Sequence, residues 1–265
     1  MASQSQVPNL SSLFQSAHDE GDISAQSLGI LSVVDVGQLI QAGIGVSALG
    51  VAASEVVLVT LEPDDSASIL FAGNAPVMCD GHNMVIDALM VSKQRTAILF
   101  HTRYLNGLEF NPWCLLEDAR RMDSHNYNPD KGTPLYDQTV VVLGSVLAKA
   151  KEAKDNGQVA RTVTLIMTDG HDEHSVRNTA KDVASLVHDM LMAETHIVAL
   201  MGIDDGRTDF RQIAREMGIQ DNWVLTPGNS PQEIRRAFQT FSSSAVRASQ
   251  GAQSFSQTAV GGFGV

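Results

Sequence analysis

No lysine or arginine occurs in the first 92 residues of this 265-residue chain. Ten acidic residues fall in that stretch, whereas the following 173 residues carry 18 basic and 20 acidic side chains. With a net charge of −12, the chain lacks the basic surface that neutralises phosphates, which argues against nucleic acid as a partner. The N-terminal third should repel acidic surfaces unless a cation offsets it. The same absence removes the positive n-region of a secretory signal, and Met1-Ala2-Ser3-Gln4-Ser5-Gln6-Val7-Pro8 supplies no apolar core for one. The longest uncharged run, 36–54, is broken by Gln38, Gln41 and four glycines and has acidic flanks, so no membrane span is expected. Two cysteines, Cys79 and Cys114, are able to pair in principle, but a reduced, buried role is expected in a chain without an export signal. The expected location is the cytoplasm. Also absent are a phosphate-binding Gly-x-x-x-x-Gly-Lys-Ser/Thr loop, a dinucleotide Gly-x-Gly-x-x-Gly and a Gly-x-Ser-x-Gly nucleophile elbow, so no enzyme class is indicated.

What is present is a chain long enough to bury a full core, with 43% hydrophobic and 18% charged residues, as in soluble globular proteins. Three regions are expected: an N-terminal extension over 1–50, a domain over 51–241 and a Ser-, Gln- and Gly-rich tail over 242–265. Residues 1–27 show little periodicity and suggest a loosely ordered lead-in. Residues 28–53 alternate apolar residues with Gly and Ala, and their β-branched content favours extra strands beside the main sheet. The tail holds Phe255 and Phe263 among small residues; it is expected to be a flexible linker, with a docking peptide as the alternative.

From Glu55 strands and helices alternate. The continuous apolar run 56–61 marks a central strand buried on both faces. Helical spacing follows over 75–93, a strand over 97–102, a helix over 135–153 and a strand over 161–167. A helix over 182–193, a strand over 196–201, a helix over 210–217, a short edge strand over 222–225 and a final helix through Phe241 complete the pattern. The stretch 103–131 is polar and aromatic, without a strong element of its own. Part of it, around Trp113, should pack on the domain, and 124–130 should border the site. The pattern predicts an α/β fold: a doubly wound, mostly parallel central sheet with helices on both faces.

Three segments carry the chemistry. Asp64-Asp65-Ser66-Ala67-Ser68 contains Asp-x-Ser-x-Ser, delivered to the carboxyl end of the first strand, where open α/β sheets place ligands. Gly132-Thr133-Pro134-Leu135-Tyr136-Asp137 opens a helix, and Thr168-Asp169-Gly170 ends an apolar strand. Thr133 lies 65 residues after Ser68, and Asp169 lies 36 after Thr133, leaving room for the intervening elements. Mg²⁺ takes about six oxygen ligands and keeps several waters. Asp64 offers a carboxylate, Ser66, Ser68 and Thr133 offer hydroxyls, and Asp169 offers a carboxylate to orient coordinated water. His171-Asp172-Glu173-His174 lacks zinc-site spacing and is expected to be a solvated loop beside Asp169.

In this order the segments resemble the metal-ion-dependent adhesion site of the von Willebrand factor A (vWA) domain, over roughly residues 50–241. Ala67 stands where many members have Gly, and Pro63 precedes the first Asp; neither departure removes an oxygen ligand. The resemblance implies Mg²⁺ or Mn²⁺ at Asp64, Ser66, Ser68, Thr133 and Asp169. It also implies an open coordination position that takes an acidic side chain from a protein partner, with Tyr127 and His171 expected as the selecting rim. With no membrane anchor or signal expected, the chain looks more like the stand-alone intracellular bacterial vWA proteins than like integrin or matrix domains. That implies an adaptor whose partner is of the kind of a MoxR-type AAA+ ATPase or a stress-operon protein. Two other readings stand beside it: a metal-dependent phosphoester hydrolase, and a self-assembling structural protein using 28–53 and the tail.

Overall fold

The computed structural model describes residues 9–250 and 261–263. Its sheet begins with β1 (Glu55–Glu62), whose Val-Val-Leu-Val core is buried on both faces. It continues through β2 (Ile98–Arg103), β3 (Glu109–Leu115), β4 (Val159–Thr168), β5 (His196–Gly202) and β6 (Val224–Leu225). The strand order is β3-β2-β1-β4-β5-β6. All neighbours run parallel except β3, which is antiparallel to β2. The crossover helices α5 (Ala75–Met90), α6 (Leu135–Asp155), α7 (Ala180–Met192) and α8 (Phe210–Glu216), with α9 (Pro231–Gln250) after the last strand, complete the doubly wound α/β fold. The five-residue α4 (Ala67–Phe71) follows β1 directly. On one face α6 packs on β1, β4 and α7, while α5 and α9 pair with each other and α9 reaches β4. Among the described residues, no helix is long and apolar enough to cross a membrane.

The N-terminal region departs from expectation. Instead of a loose lead-in and extra strands, residues 10–42 form α1 (Leu10–Asp19), α2 (Ala25–Leu31) and α3 (Val34–Ala42). Side-chain caps start the first two: Asn9 Oδ1 accepts from Ser11 N at 3.1 Å, and Ser24 Oγ from Ser27 N at 3.2 Å. Leu10, Leu13, Phe14 and Ala17 recur at helical spacing and are buried, a pattern that stabilises a short helix only when it has a surface to cover. That surface is α6, which all three helices contact. The run Val140-Val141-Val142-Leu143 is therefore buried all round.

Only 43–46 runs beside the sheet. Trp113 N donates to Gly43 O at 3.1 Å and Val46 N to Trp113 O at 2.7 Å, which covers the outer edge of β3. Gly45 (φ +52°) sits so close that a Cβ would lie 2.0 Å from the Trp113 carbonyl oxygen, so only glycine fits there. The connection 103–131 contains β3, an element its Pro112 and polar residues obscured in sequence; proline is compatible with an edge strand.

The tail also departs from expectation. Residues 242–250 continue α9, with Ser242, Ser244, Ala245, Ala248 and Ser249 buried. Ser249 Oγ is 2.8 Å from Ser92 Oγ. Phe263 is buried against the domain, whereas Phe255 lies outside the described residues. The two cysteines are unpaired thiols, and burial pushes each up to about 11.

Candidate metal and protein-binding site

At the carboxyl end of the sheet, the turn after β1 and the end of β4 converge. Asp64 is fully buried there. Its Oδ1 accepts from Ser66 N at 2.7 Å and its Oδ2 from Thr168 Oγ1 at 2.8 Å. Ser66 Oγ and Ser68 Oγ stand 2.9 Å apart, and Ser68 Oγ donates to Asp169 Oδ1 at 2.6 Å. Four of the five expected ligands thus form one connected cluster. The fifth, Thr133, lines the same cleft. Its loop is held in place by Thr133 N donating to His174 Nδ1 at 2.9 Å and Glu173 N donating to Thr133 O at 3.1 Å.

The loops are tied by residues outside the expected set. Asp65 Oδ1 accepts from Asn106 N at 2.9 Å and Asn106 Nδ2 at 2.8 Å, and the same Nδ2 donates to Gly132 O at 2.8 Å. One amide side chain therefore joins the turn after β1 to the loop that carries Thr133. Asp65 was visible as the intervening residue of Asp-x-Ser-x-Ser; Asn106 carried no sequence signal. His174 and Asp172 are likewise supports rather than free loop residues, since Asp172 Oδ1 accepts from Tyr136 N at 3.3 Å and Ser175 Oγ at 2.6 Å.

Tyr127 does not form the rim. It is 3% exposed, and its hydroxyl donates to the main-chain carbonyl of Asp64 from beneath the site. Its ring packs edge-on to Tyr104 at 5.4 Å, so an aromatic residue in the connecting segment became a foundation rather than a surface. His171 is exposed at the cleft, with Nε2 3.5 Å from Glu173.

The donor set fits a hard divalent cation: three hydroxyls and two carboxylates, all oxygen. The 2.9 Å separation of the serine oxygens matches the ~2.9 Å edge of an octahedron with bonds near 2.0–2.1 Å. Electrostatics point the same way. Burial pushes the Asp64 carboxyl up to about 7, and the charge of Asp169 adds to it. Burial also raises Asp169. Among the described residues neither carboxylate is ion-paired with Lys or Arg, so two buried acids face each other without a protein cation. No group of three or more His, Cys, Asp or Glu among the described residues is placed to hold a metal. A cation here would rest on hydroxyls and water more than on a carboxylate cage. The surrounding cleft has a volume of about 720 Å³, and its wall includes Glu173, Asp204, Asp205 and Glu216 against Lys131 and Arg207.

The sequence matches no family model and no curated protein. Solved structures share the fold. The chain superposes over 73% of its length on 31% of the pilus adhesin SpaC from Lactobacillus rhamnosus GG, at TM-score 0.54 and 10% identity. The VWA domain of SpRpn10 aligns with 70% of this chain and 94% of its own, at TM-score 0.46 and 12% identity. Proximal thread matrix protein 1 of the mussel byssus aligns with 71% of this chain and 47% of its own, at 0.46 and 16%. The chain spans less than half the length of the adhesin and byssus proteins it matches. The likeness is one of fold.

Proposed function

We propose that the cleft is a divalent-cation-dependent protein-binding site of the vWA kind, and that the chain is an interaction module. The observation that carries this reading is the chain Ser66 Oγ–Ser68 Oγ–Asp169 Oδ1 at 2.9 and 2.6 Å above the buried Asp64 carboxylate. A bound Mg²⁺ or Mn²⁺ supplies a Lewis-acidic centre for an incoming oxygen ligand. Ser66, Ser68 and Thr133 would hold it, while Asp64 and Asp169 supply negative charge and orient water.

The occupant we favour is an acidic side chain of a protein partner. Such a group entering the cleft meets Asp169, Glu173, Asp204 and Asp205. Like charges at close range repel strongly in a partly desolvated site. Capture should therefore depend steeply on the cation, which reverses the local sign. The test is a pull-down from lysate with Mg²⁺ or with excess EDTA, repeated with Asp64→Ala. The reading expects a partner retained only by the wild-type protein with metal. Equal retention in EDTA would show that the cation is not the contact.

A further inference from the structure

A second cavity lies at the opposite end of the sheet from the metal site. Val159 and Ala160, at the start of β4, border it, whereas Thr168 at the far end of that strand bonds Asp64, ~30 Å away along the strand. Its volume is about 380 Å³, within the ~300–1,000 Å³ of small-molecule sites. One wall is a face of α6, where Leu147, Ala150, Lys151 and Lys154 recur at helical spacing. Phe14 and Ile23 of the N-terminal region add apolar surface, and the small side chains of Ala150 and Ala160 leave the space open.

His196, at the start of β5, brings a polar group to this apolar space. It is 6% exposed, and its Nδ1 is engaged by Thr162 Oγ1 at 2.8 Å. Its Nε2 has no hydrogen-bond partner among the described residues and is not sealed from solvent, so it opens on the cavity that the ring lines. Burial keeps the ring neutral, with its pKa pushed down to about 4. The lysines offer no free charge. Lys151 pairs with Glu20 at 3.0 Å and with Asp155, and Lys154 pairs with Asp22 at 2.7 Å and Glu20 at 3.1 Å. Two ammonium groups thus meet three carboxylates, which leaves nothing to draw in an anion. A cationic ligand would have to shed its water against an apolar wall. An uncharged ligand fits. The Thr162–His196 bond can run in either direction, so Nε2 donates in one tautomer and accepts in the other. A hydroxyl group meets both cases, because it donates and accepts.

We propose that this cavity binds an uncharged, largely apolar alcohol or phenol, with its hydroxyl on His196 Nε2 and its hydrocarbon body against Phe14, Ile23 and Leu147. At the ~30 Å³ that one water takes in the liquid, the cavity holds on the order of a dozen heavy atoms, the size of a two-ring phenol. Such a ligand touches the N-terminal helices, α6 and β5 together, at a site separate from the cation cleft.

Calorimetric titration of 2-naphthol, uncharged at neutral pH, into the full chain tests the proposal. The wild-type protein should bind one molecule, with or without EDTA. It should bind the anion 2-naphthoate at least about tenfold more weakly, since the cavity offers a carboxylate no free cation. Ala150→Phe fills the cavity and should abolish binding. His196→Phe keeps a ring and removes the nitrogens, which should weaken 2-naphthol by about threefold to tenfold, the loss of one hydrogen bond. No saturable binding by the wild-type chain overturns the proposal, as does binding lost in EDTA or a preference for 2-naphthoate. Affinity unchanged in folded Ala150→Phe or His196→Phe overturns it as well. Circular dichroism checks the fold of each variant; where one is unfolded, the other variant and the comparison of the two probes decide.

Discussion

The hydroxyl of Tyr127 donates to the main-chain carbonyl of Asp64, 63 positions earlier in the chain. The motif's first carboxylate is thus fixed from below by a buried phenol. Tyr127→Phe leaves that buried carbonyl without its donor, a loss of about 1–3 kcal/mol. Urea unfolding should show the destabilisation, and metal affinity should fall while partner choice stays the same. Altered partner choice with unchanged stability would instead put Tyr127 at the recognition surface.

Thr133 lines the cleft from a loop pinned by His174 and Asn106. Thr133→Ala should weaken partner capture more than metal binding, because the loop helps decide how open the ion remains to an outside ligand. Paired titrations of metal and partner check this; equal losses in both would assign Thr133 to the metal alone.

The N-terminal helices belong to the core. Ile40 is fully buried and packs against Gly144 of α6. Ile40→Ala should cost about 2–5 kcal/mol, the range for large-to-small changes in a close-packed interior, as read by the shift in urea midpoint. A change below ~0.5 kcal/mol, typical of exposed positions, would restore residues 1–50 to the status of a loose extension.

How far each part could be foreseen follows from how local its cause is. β1, β4 and β5 were legible because parallel strands covered on both faces appear as continuous apolar runs. The meeting of Asp64, Ser66, Ser68 and Asp169 at one sheet end was legible because their order along the chain follows the strands that carry them. β3 was hidden, since Glu109, Asn111 and Pro112 spoil the apolar alternation and the strand is completed by pairing with β2 and with Gly43 and Val46. α3 was hidden because Val34, Val36 and Ile40 favour strands by local propensity, and contact with α6 overrides it. The unbroken apolar run 140–143 was the available sign that α6 needed a second covering layer. Tyr127 and Asn106 act through contacts set by the folded loops, which spacing along the chain does not encode.

His196 gives a pH dependence with a defined sign. Its ring is 6% exposed, with Nδ1 2.8 Å from Thr162 Oγ1, and Asp22, Lys151 and Lys154 line the same cavity. Burial pushes its pKa down to about 4, against the pull of Asp22, while the unfolded chain has about 6.5. The unfolded state therefore takes up the proton first. The stability that the neutral ring contributes is full above pH ~6.5 and is lost as pH falls through the window towards about 4. His196→Asn should flatten the rise of stability with pH in that window by up to about 1.4 kcal/mol per pH unit, one proton's worth. Urea midpoints measured across the window check it; identical slopes would mean the ring is protonated in the fold.

The most direct test of the cation site is calorimetric titration of Mg²⁺ and Mn²⁺ into the wild-type protein and into Asp64→Ala. Circular dichroism would confirm that both are folded. The expected ligands sit at the carboxyl end of the sheet, in the turn after β1, the start of α4 and the ends of two loops, outside its hydrophobic core, so the variant should keep the fold. One ion per chain should bind the wild-type protein, and binding should be lost in Asp64→Ala. No binding to the wild type, or equal affinity in the folded variant, would contradict the site.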